Sequence, residues 1–513
     1  MAETLTATEG APARFEELQR KLVPLWESIQ RMTDDEQTIV VVPSLTLDDP
    51  GWPSSVLQAY EERFLFLLLL LRQPRARLVY VTSQAVNPSI VDYYLDLLPG
   101  VIASHARQRL FLVSPLDGSA RPLSEKLLAR PRLLERIRGL VLDADRAHLV
   151  PFNTTELERD LAVALGIPMY GADPRFFGYG TKSGGRRLFA EEGVLHPLGE
   201  EGVTGVPDVV AALVRLRAAR PGVGQAIVKL NEGVSGEGNA SVELAGLPEP
   251  GTAGEADAIG ERVRAMSFES PAVTLESYLA ALGEYGGIVE ERISGHEVRS
   301  PSVQMRVTPL GALEVLSTHD QLLGGPSGQA YLGCRFPADP SYAPAITREA
   351  VKVGERLARE GVIGRFAVDF VVVRTDDGWD PYAIELNLRK GGTTHPFLTL
   401  QFLTDGVYDP ETGVFTAPSG RRKHFVASDH VESPLYRALT PDDLFDVAVR
   451  RGLHFDQSRQ TGVVFHMMSA LGEHGRMGLT AVADDAVGAD ELYHRVLAVL
   501  DEECAAASEG QSL

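Results

Sequence analysis

Phe366-Ala367-Val368-Asp369-Phe370 and, further along the chain, Ala383-Ile384-Glu385-Leu386-Asn387 decide how this protein is read. Each is an apolar, strand-forming run with acidic or amide side chains set into it. Side chains alternate between the two faces of a strand, so Glu385 and Asn387 share one face. Asp376-Asp377-Gly378 lies between the runs and has the composition of a hairpin turn. If the two strands pair, Asp369 sits across from Glu385 and Asn387. Isolated carboxylates among such apolar neighbours are costly to bury without a partner. Three oxygen ligands at close range suit Mg²⁺, which takes carboxylate oxygens and completes its octahedron with phosphates and water. The competing reading is the wetted side of an exposed hairpin.

Two further signals lie upstream. The strand-like Ala226-Ile227-Val228 runs into Lys229-Leu230-Asn231-Glu232-Gly233-Val234-Ser235-Gly236-Glu237-Gly238-Asn239. Backbone N–H groups of a glycine-rich loop between strands can close on a polyphosphate, and the preceding lysine adds positive charge. Asn239 after Gly238 excludes a Walker A loop. A flexible edge hairpin would use the same residues. Ile288-Val289-Glu290-Glu291-Arg292-Ile293-Ser294-Gly295-His296-Glu297 then ends a strand on two acids, with a third after the turn glycine. By itself this is equally a charged hairpin.

Composition limits the alternatives. A chain of 513 residues, 44% hydrophobic and 23% charged, has globular proportions and the length of several domains. The net charge of −21 repels phosphate backbones and anionic bilayers, which argues against general nucleic-acid or membrane partners. Cys334 and Cys504 are too few for a disulfide framework and fit a reducing cytoplasm. Met1 to Arg14 lacks the pattern of a signal peptide. The apolar run Phe64 to Leu71 is far shorter than the roughly 20 residues of a membrane span, and reads as part of a buried helix over 54–72.

Periodicity suggests a disordered tail over 1–12, then a doubly wound domain over 13–173. Its expected parallel strands are residues 39–42, 78–81, 110–113 and 140–142, alternating with helices. Pro43-Ser44-Leu45-Thr46 after the first of them carries no dinucleotide fingerprint. Short strands and glycine-rich turns mark 174–424. A small α+β unit follows over 425–513, with a helix capped by Thr440. The fold class is thus α/β combined with α+β.

The ordered series Lys182, Lys229 with its glycine loop, Glu290 to Glu297, Asp369, and Glu385-x-Asn387 resembles the ATP-grasp superfamily over about residues 174–410. The resemblance implies an ATP-grasp fold of two α+β lobes. It implies that Lys182 and Lys229 hold the ATP phosphates and that Gly233, Ser235, Gly236 and Gly238 belong to the covering loop. Glu290, Glu291 and Ile293 would form the adenine hinge, and Glu297, seven residues past Glu290, would bind the ribose. Asp369, Glu385 and Asn387 would hold Mg²⁺, with Mn²⁺ as the alternative ion. Val91-Asp92-Tyr93-Tyr94-Leu95, Thr318-His319-Asp320-Gln321 and Gly462-Val463-Val464-Phe465-His466-Met467 look like segments of the pheganomycin-type peptide ligases. That likeness would extend over the whole chain.

Such ligases activate a carboxylate as an acyl phosphate and let an amine displace phosphate. Arg389 suits the acceptor carboxylate or its acyl phosphate, since a guanidinium fork matches both; a charge closing a strand end is the plainer reading. His296, His319 and His395 each offer a base for the amine or a hydrogen-bonded structural group. No cysteine–histidine zinc spacing is present. The expectation is therefore an ATP-dependent carboxylate–amine ligase of secondary metabolism, acting in the cytoplasm on small acids and on amines or peptides, with homo-oligomers compatible. A small-molecule kinase on the same fold and a nucleotide-binding module without turnover are the competing classes.

Overall fold

The computed structural model describes residues 10–30, 36–46, 53–233, 238–270, 273–325 and 328–510. The first part is a parallel sheet. Its strands β1 (Gln37–Val42), β2 (Ala76–Val81), β3 (Leu110–Val113) and β4 (Ala147–Pro151) lie in the order β3-β2-β1-β4. Val40, Val42, Val79 and Val81 bury one face, and Ile39, Val41, Leu78 and Tyr80 the other. Burial on both faces is why these strands read as continuous apolar runs.

Two sequence expectations are corrected here. Residues 140–142 are not the fourth strand: Leu140 ends the helix Pro131–Leu140, and the strand lies at Ala147–Pro151. The helix expected over 54–72 breaks into Ser54–Glu62 and a 3₁₀ segment, Leu65–Arg72, in which six leucine and phenylalanine side chains are fully buried. The first helix, Ala11–Gln19, also begins inside the segment expected to be a disordered tail.

A second sheet contains β5 (Gly199–Val203), β6 (Gln225–Leu230), β7 (Asn239–Glu243), β8 (Ser267–Phe268) and β9 (Gly287–Glu291), in the order β5-β9-β6-β7-β8. The largest sheet takes β10 (Val298–Arg299), β11 (Pro301–Val307), β12 (Leu313–Gly324), β13 (Ala330–Phe336), β14 (Gly364–Thr375) and β15 (Gly378–Asn387). A short hairpin of β16 (Val407–Asp409) and β17 (Val414–Thr416) stands apart. The C-terminal strands β18 (His424–Glu432), β19 (Gly462–His466) and β20 (Arg476–Ala483) then join the large sheet, because β18 pairs with β13 from Gly333↔Ser428 to Phe336↔Phe425. The order is β10-β14-β11-β12-β13-β18-β20-β19, with β15 on the far side of β14. The C-terminal strands thus continue the sheet that carries the acidic pair. The helix after Thr440 is present as Pro441–Arg450, closed by a capping box with Asp443.

The N-terminal part is stitched to these C-terminal strands. Tyr94 Oη donates to the Phe465 carbonyl (3.0 Å), and Phe465 N–H donates to Tyr93 Oη (3.0 Å). Arg63 pairs with Asp429 (2.8 Å), both buried. Glu62 Oε2 accepts from Ser469 N–H (3.2 Å), and burial pushes the Glu62 carboxyl up to about 7 against this hydrogen bond. A carboxyl whose folded pKa exceeds its ordinary 4.5 gives stability that is complete below 4.5 and is lost as pH rises through 7. Glu62→Gln should therefore gain on the wild type between pH 5 and pH 8, by on the order of 2 kcal/mol. Urea denaturation at both pH values checks this; a pH-independent difference would mean Glu62 is not neutral in the fold.

Candidate active site

The hairpin β14–β15 places Asp369 directly opposite Glu385, and a bulge follows at Asp369/Phe370. Asn387 Nδ2 donates to Asp369 Oδ2 at 2.9 Å. The hairpin thus brings together the three residues expected to form one site. Lys182 reaches them from the first turn of the helix Lys182–Glu191, its Nζ 2.5 Å from Glu385 Oε1. Thr181 caps that helix through Gly184 N–H (3.0 Å). Gly184 must be glycine, because a Cβ there would stand 1.8 Å from the Gly178 carbonyl. Asn231, just past β6, accepts from Ser183 N–H through Oδ1 (3.0 Å) and from Lys182 N–H through its carbonyl (3.2 Å). It ties the segment of the first lysine to that of the second.

Lys229 is buried, with Nζ 2.5 Å from Glu290 Oε1. Arg186, one helical turn past Lys182, donates to Glu290 Oε2 (3.0 Å), Glu201 (2.7 Å) and the Pro197 carbonyl (2.9 Å). Between the two sheets lies a cavity of about 280 Å³. Its wall includes Lys182, Lys229, Glu290, Glu291, Ile293, Asp369 and Glu385. Gly233 and Gly238 line it too, while Ser235 and Gly236 lie outside the described residues.

Burial first, and then the charge of Glu385, pushes the Asp369 carboxyl up to about 7; Lys182 and Arg389 pull the other way. Burial also opposes ionisation of Glu385, but Lys182, Lys229 and Arg389 outweigh it and hold that carboxyl below its ordinary range. Two facing carboxylates that cannot both ionise comfortably, one of them bonded to an amide, form a hard-oxygen donor set short of one positive charge. That set fits Mg²⁺.

Some expectations fall elsewhere. Glu297 is not on the cavity wall; six residues past β9, its half-exposed carboxylate pairs with Arg299 (2.8 Å). Arg389 lies just beyond Asn387, buried enough that its pKa is lowered, with Glu385 and Asp369 opposing that shift. His319 is fully buried among Phe336, Phe397 and Phe425, and burial lowers it to about 3, which makes it a structural group. His296 is exposed. Sequence reasoning passed over Arg186 and Asn231 as members of the site. It saw Gln321 only as part of a family segment, although that side chain lines the cavity and hydrogen-bonds Asp369. Nothing local marks these residues, since their partners are distant in sequence.

Residues 262–410 match the family described as IQCH-like, ATP-grasp, and residues 443–496 the PGM1 C-terminal domain. The chain is 31% identical over 479 residues to L-propargylglycine–L-glutamate ligase of Streptantibioticus cattleyicolor, covering 91% of this chain and 95% of that protein. It is 24% identical over 552 residues to IQ motif-containing protein H of Danio rerio, covering 96% of this chain but 50% of that protein. Among solved structures, the ADP complex of N5-carboxyaminoimidazole ribonucleotide synthetase superposes with a TM-score of 0.51 at 10% identity, covering 91% of this chain and 98% of that one. The biotin carboxylase domain of Hydrogenobacter thermophilus 2-oxoglutarate carboxylase, solved with MgADP, gives 0.51 at 12% identity, covering 88% and 87%. These two likenesses carry the fold alone.

Proposed function

Since the chain belongs to the ATP-grasp carboxylate–amine ligases, in the family of L-propargylglycine–L-glutamate ligase, we propose that it forms an amide between an amino-acid-like carboxylate and the amine of an amino acid or peptide. The observation that carries this reading is the meeting of Lys182, Lys229, Asp369 and Glu385 in one cavity between two sheets, with Asn387 bonded to Asp369 beside it. ATP would lie there, with its base toward Glu290, Glu291 and Ile293 and its phosphates toward the lysines. Division into 13–173, 174–424 and 425–513 is part of the same reading, as is a cytoplasmic setting. Among the described residues no helix is long and apolar enough to cross a membrane.

Phosphoryl transfer calls for positioning and charge neutralisation more than covalent help. Both lysines are already paired with carboxylates, Lys182 with Glu385 and Lys229 with Glu290. They are thereby held near the place where phosphate charge arrives. A divalent cation at Asp369, Glu385 and Asn387 supplies the remaining positive charge when bound. Arg389 orients the substrate carboxylate toward the γ-phosphorus. A carboxylate oxygen attacks the γ-phosphorus and displaces ADP, giving an acyl phosphate; the amine then attacks its acyl carbon, the C–O bond to phosphate breaks, and the departing phosphate or water takes the amine proton.

A ligase releases ADP and phosphate only when acid and amine are both present. A kinase yields ADP and a phosphorylated product instead. Screening acids and amines for phosphate release, with mass analysis of the product, separates the two. The likeness to a ligase along nearly the whole chain supports the first outcome.

Lys229→Ala tests the phosphate contact. Glu290 keeps Arg186 in this variant, so the fold survives. Nucleotide affinity should fall by about 1.5–3 kcal/mol, roughly 10- to 150-fold. Calorimetric titration with an ATP analogue measures it, and an unchanged affinity would remove Lys229 from the phosphate site.

A further inference from the structure

His395, Asp429 and His466 meet outside the nucleotide cavity, all three buried. His395 comes from the helix Thr394–Thr404, Asp429 from β18 and His466 from the end of β19. We propose that they form a zinc site that clamps the C-terminal strands to the helix following the catalytic hairpin. The Nε2 atoms of the two histidines lie 3.0 Å apart, and Asp429 Oδ1 lies 2.7 Å from one and 3.3 Å from the other. A triangle with edges of 3.0, 2.7 and 3.3 Å has a circumradius of about 1.75 Å. A point about 2.0 Å from all three atoms, the distance of Zn–N and Zn–O bonds, therefore exists beside its plane.

Hydrogen bonding alone accounts for the convergence poorly. If both imidazoles carry a proton on Nε2, two N–H groups crowd each other at 3.0 Å. If only His466 does, the bare His395 nitrogen faces the lone pairs of Asp429 at 3.3 Å. A cation at the common point turns all three lone pairs to use.

The surroundings are built for this placement. Arg63 Nη1 donates to Asp429 Oδ2 (2.8 Å), which fixes the carboxylate and leaves Oδ1 for the ion. Gly478, on β20, leaves room for the His466 ring, because a Cβ there would stand 2.0 Å from Nε2. Two nitrogens and one oxygen select Zn²⁺ over Mg²⁺, which prefers oxygen throughout. Water would take the fourth position. The site does not depend on the ligase reading.

The test is the metal content of the full chain, purified without an affinity metal. About one zinc per chain is expected, retained through dialysis and by Glu385→Ala, and lost in His466→Ala and Asp429→Asn. Because those two variants could fail to fold, wild-type protein stripped with chelator is titrated with Co²⁺ and should develop the intense visible absorption of a four-coordinate site. Zn²⁺, but not Mg²⁺, should abolish that absorption and raise the melting temperature. Folded wild-type chain that carries no zinc and takes up neither Zn²⁺ nor Co²⁺ would overturn the proposal and leave a hydrogen-bonded triad. Zinc that persists in His466→Ala, or disappears in Glu385→Ala, would also overturn it.

Discussion

Glu385→Ala is expected to lower turnover about a thousandfold or more while the protein stays folded. Three properties of the position lead to that magnitude. Glu385 faces Asp369 across the hairpin, so the proposed cation loses a charged ligand from its centre. It holds Lys182 at 2.5 Å, so the variant also releases the lysine proposed to neutralise phosphate charge. Asn387 and Asp369 remain bonded to each other but cannot replace the missing charge. The fold should tolerate the change because the side chain is 25% exposed and, among the described residues, supports no backbone group. Removing it also takes away the like charge that helps push Asp369 up to about 7, so Asp369 should ionise more readily in the variant. Phosphate release at saturating Mg²⁺ and ATP, with the melting temperature as control, gives the answer. Near-normal turnover by a folded variant would contradict the metal assignment.

The acidic site was legible because it depends on local rules. Strand alternation put Glu385 and Asn387 on one face, and Asp376-Asp377-Gly378 announced the hairpin that brings Asp369 opposite. Where periodicity failed, burial was uniform or the strand was polar. The segment Leu65–Arg72 is buried nearly all round, so it shows no helical period and its break from Ser54–Glu62 is invisible. Strand β4 contains His148, partly buried and lowered by that burial to about 4, and yields in apolar character to the neighbouring Leu140-Val141-Leu142. The pairing of β13 with β18, the ion pair of Arg63 with Asp429, and the meeting of His395 with His466 join residues far apart in sequence. No local spacing records them. The resemblance, through a spacing of seven after Glu290, implies a ribose role for Glu297; beyond β9 its side chain pairs with Arg299.

Arg389→Lys should cut kcat/KM for the carboxylate substrate about a hundredfold and leave the KM for ATP nearly unchanged. Among the described residues the only hydrogen bond of its guanidinium is from Nη1 to the Lys390 carbonyl, at 3.1 Å. The rest of the fork is left for a ligand. Its position is defined by the Phe152 ring at 5.9 Å, and the same ring holds Arg63 at 5.1 Å. Phe152 directly follows β4, so Arg389 lies where the N-terminal sheet meets the acidic hairpin. An acid bound there would sit beside the proposed cation, since Asp369 and Glu385 are the carboxylates that act on Arg389. Lysine keeps the charge but offers a point rather than a fork, so the acid still binds while its approach to the γ-phosphorus loosens. Steady-state kinetics with each substrate varied in turn makes the measurement. A rise in the KM for ATP with no change toward the acid would move Arg389 to the nucleotide and leave the acceptor carboxylate to another group.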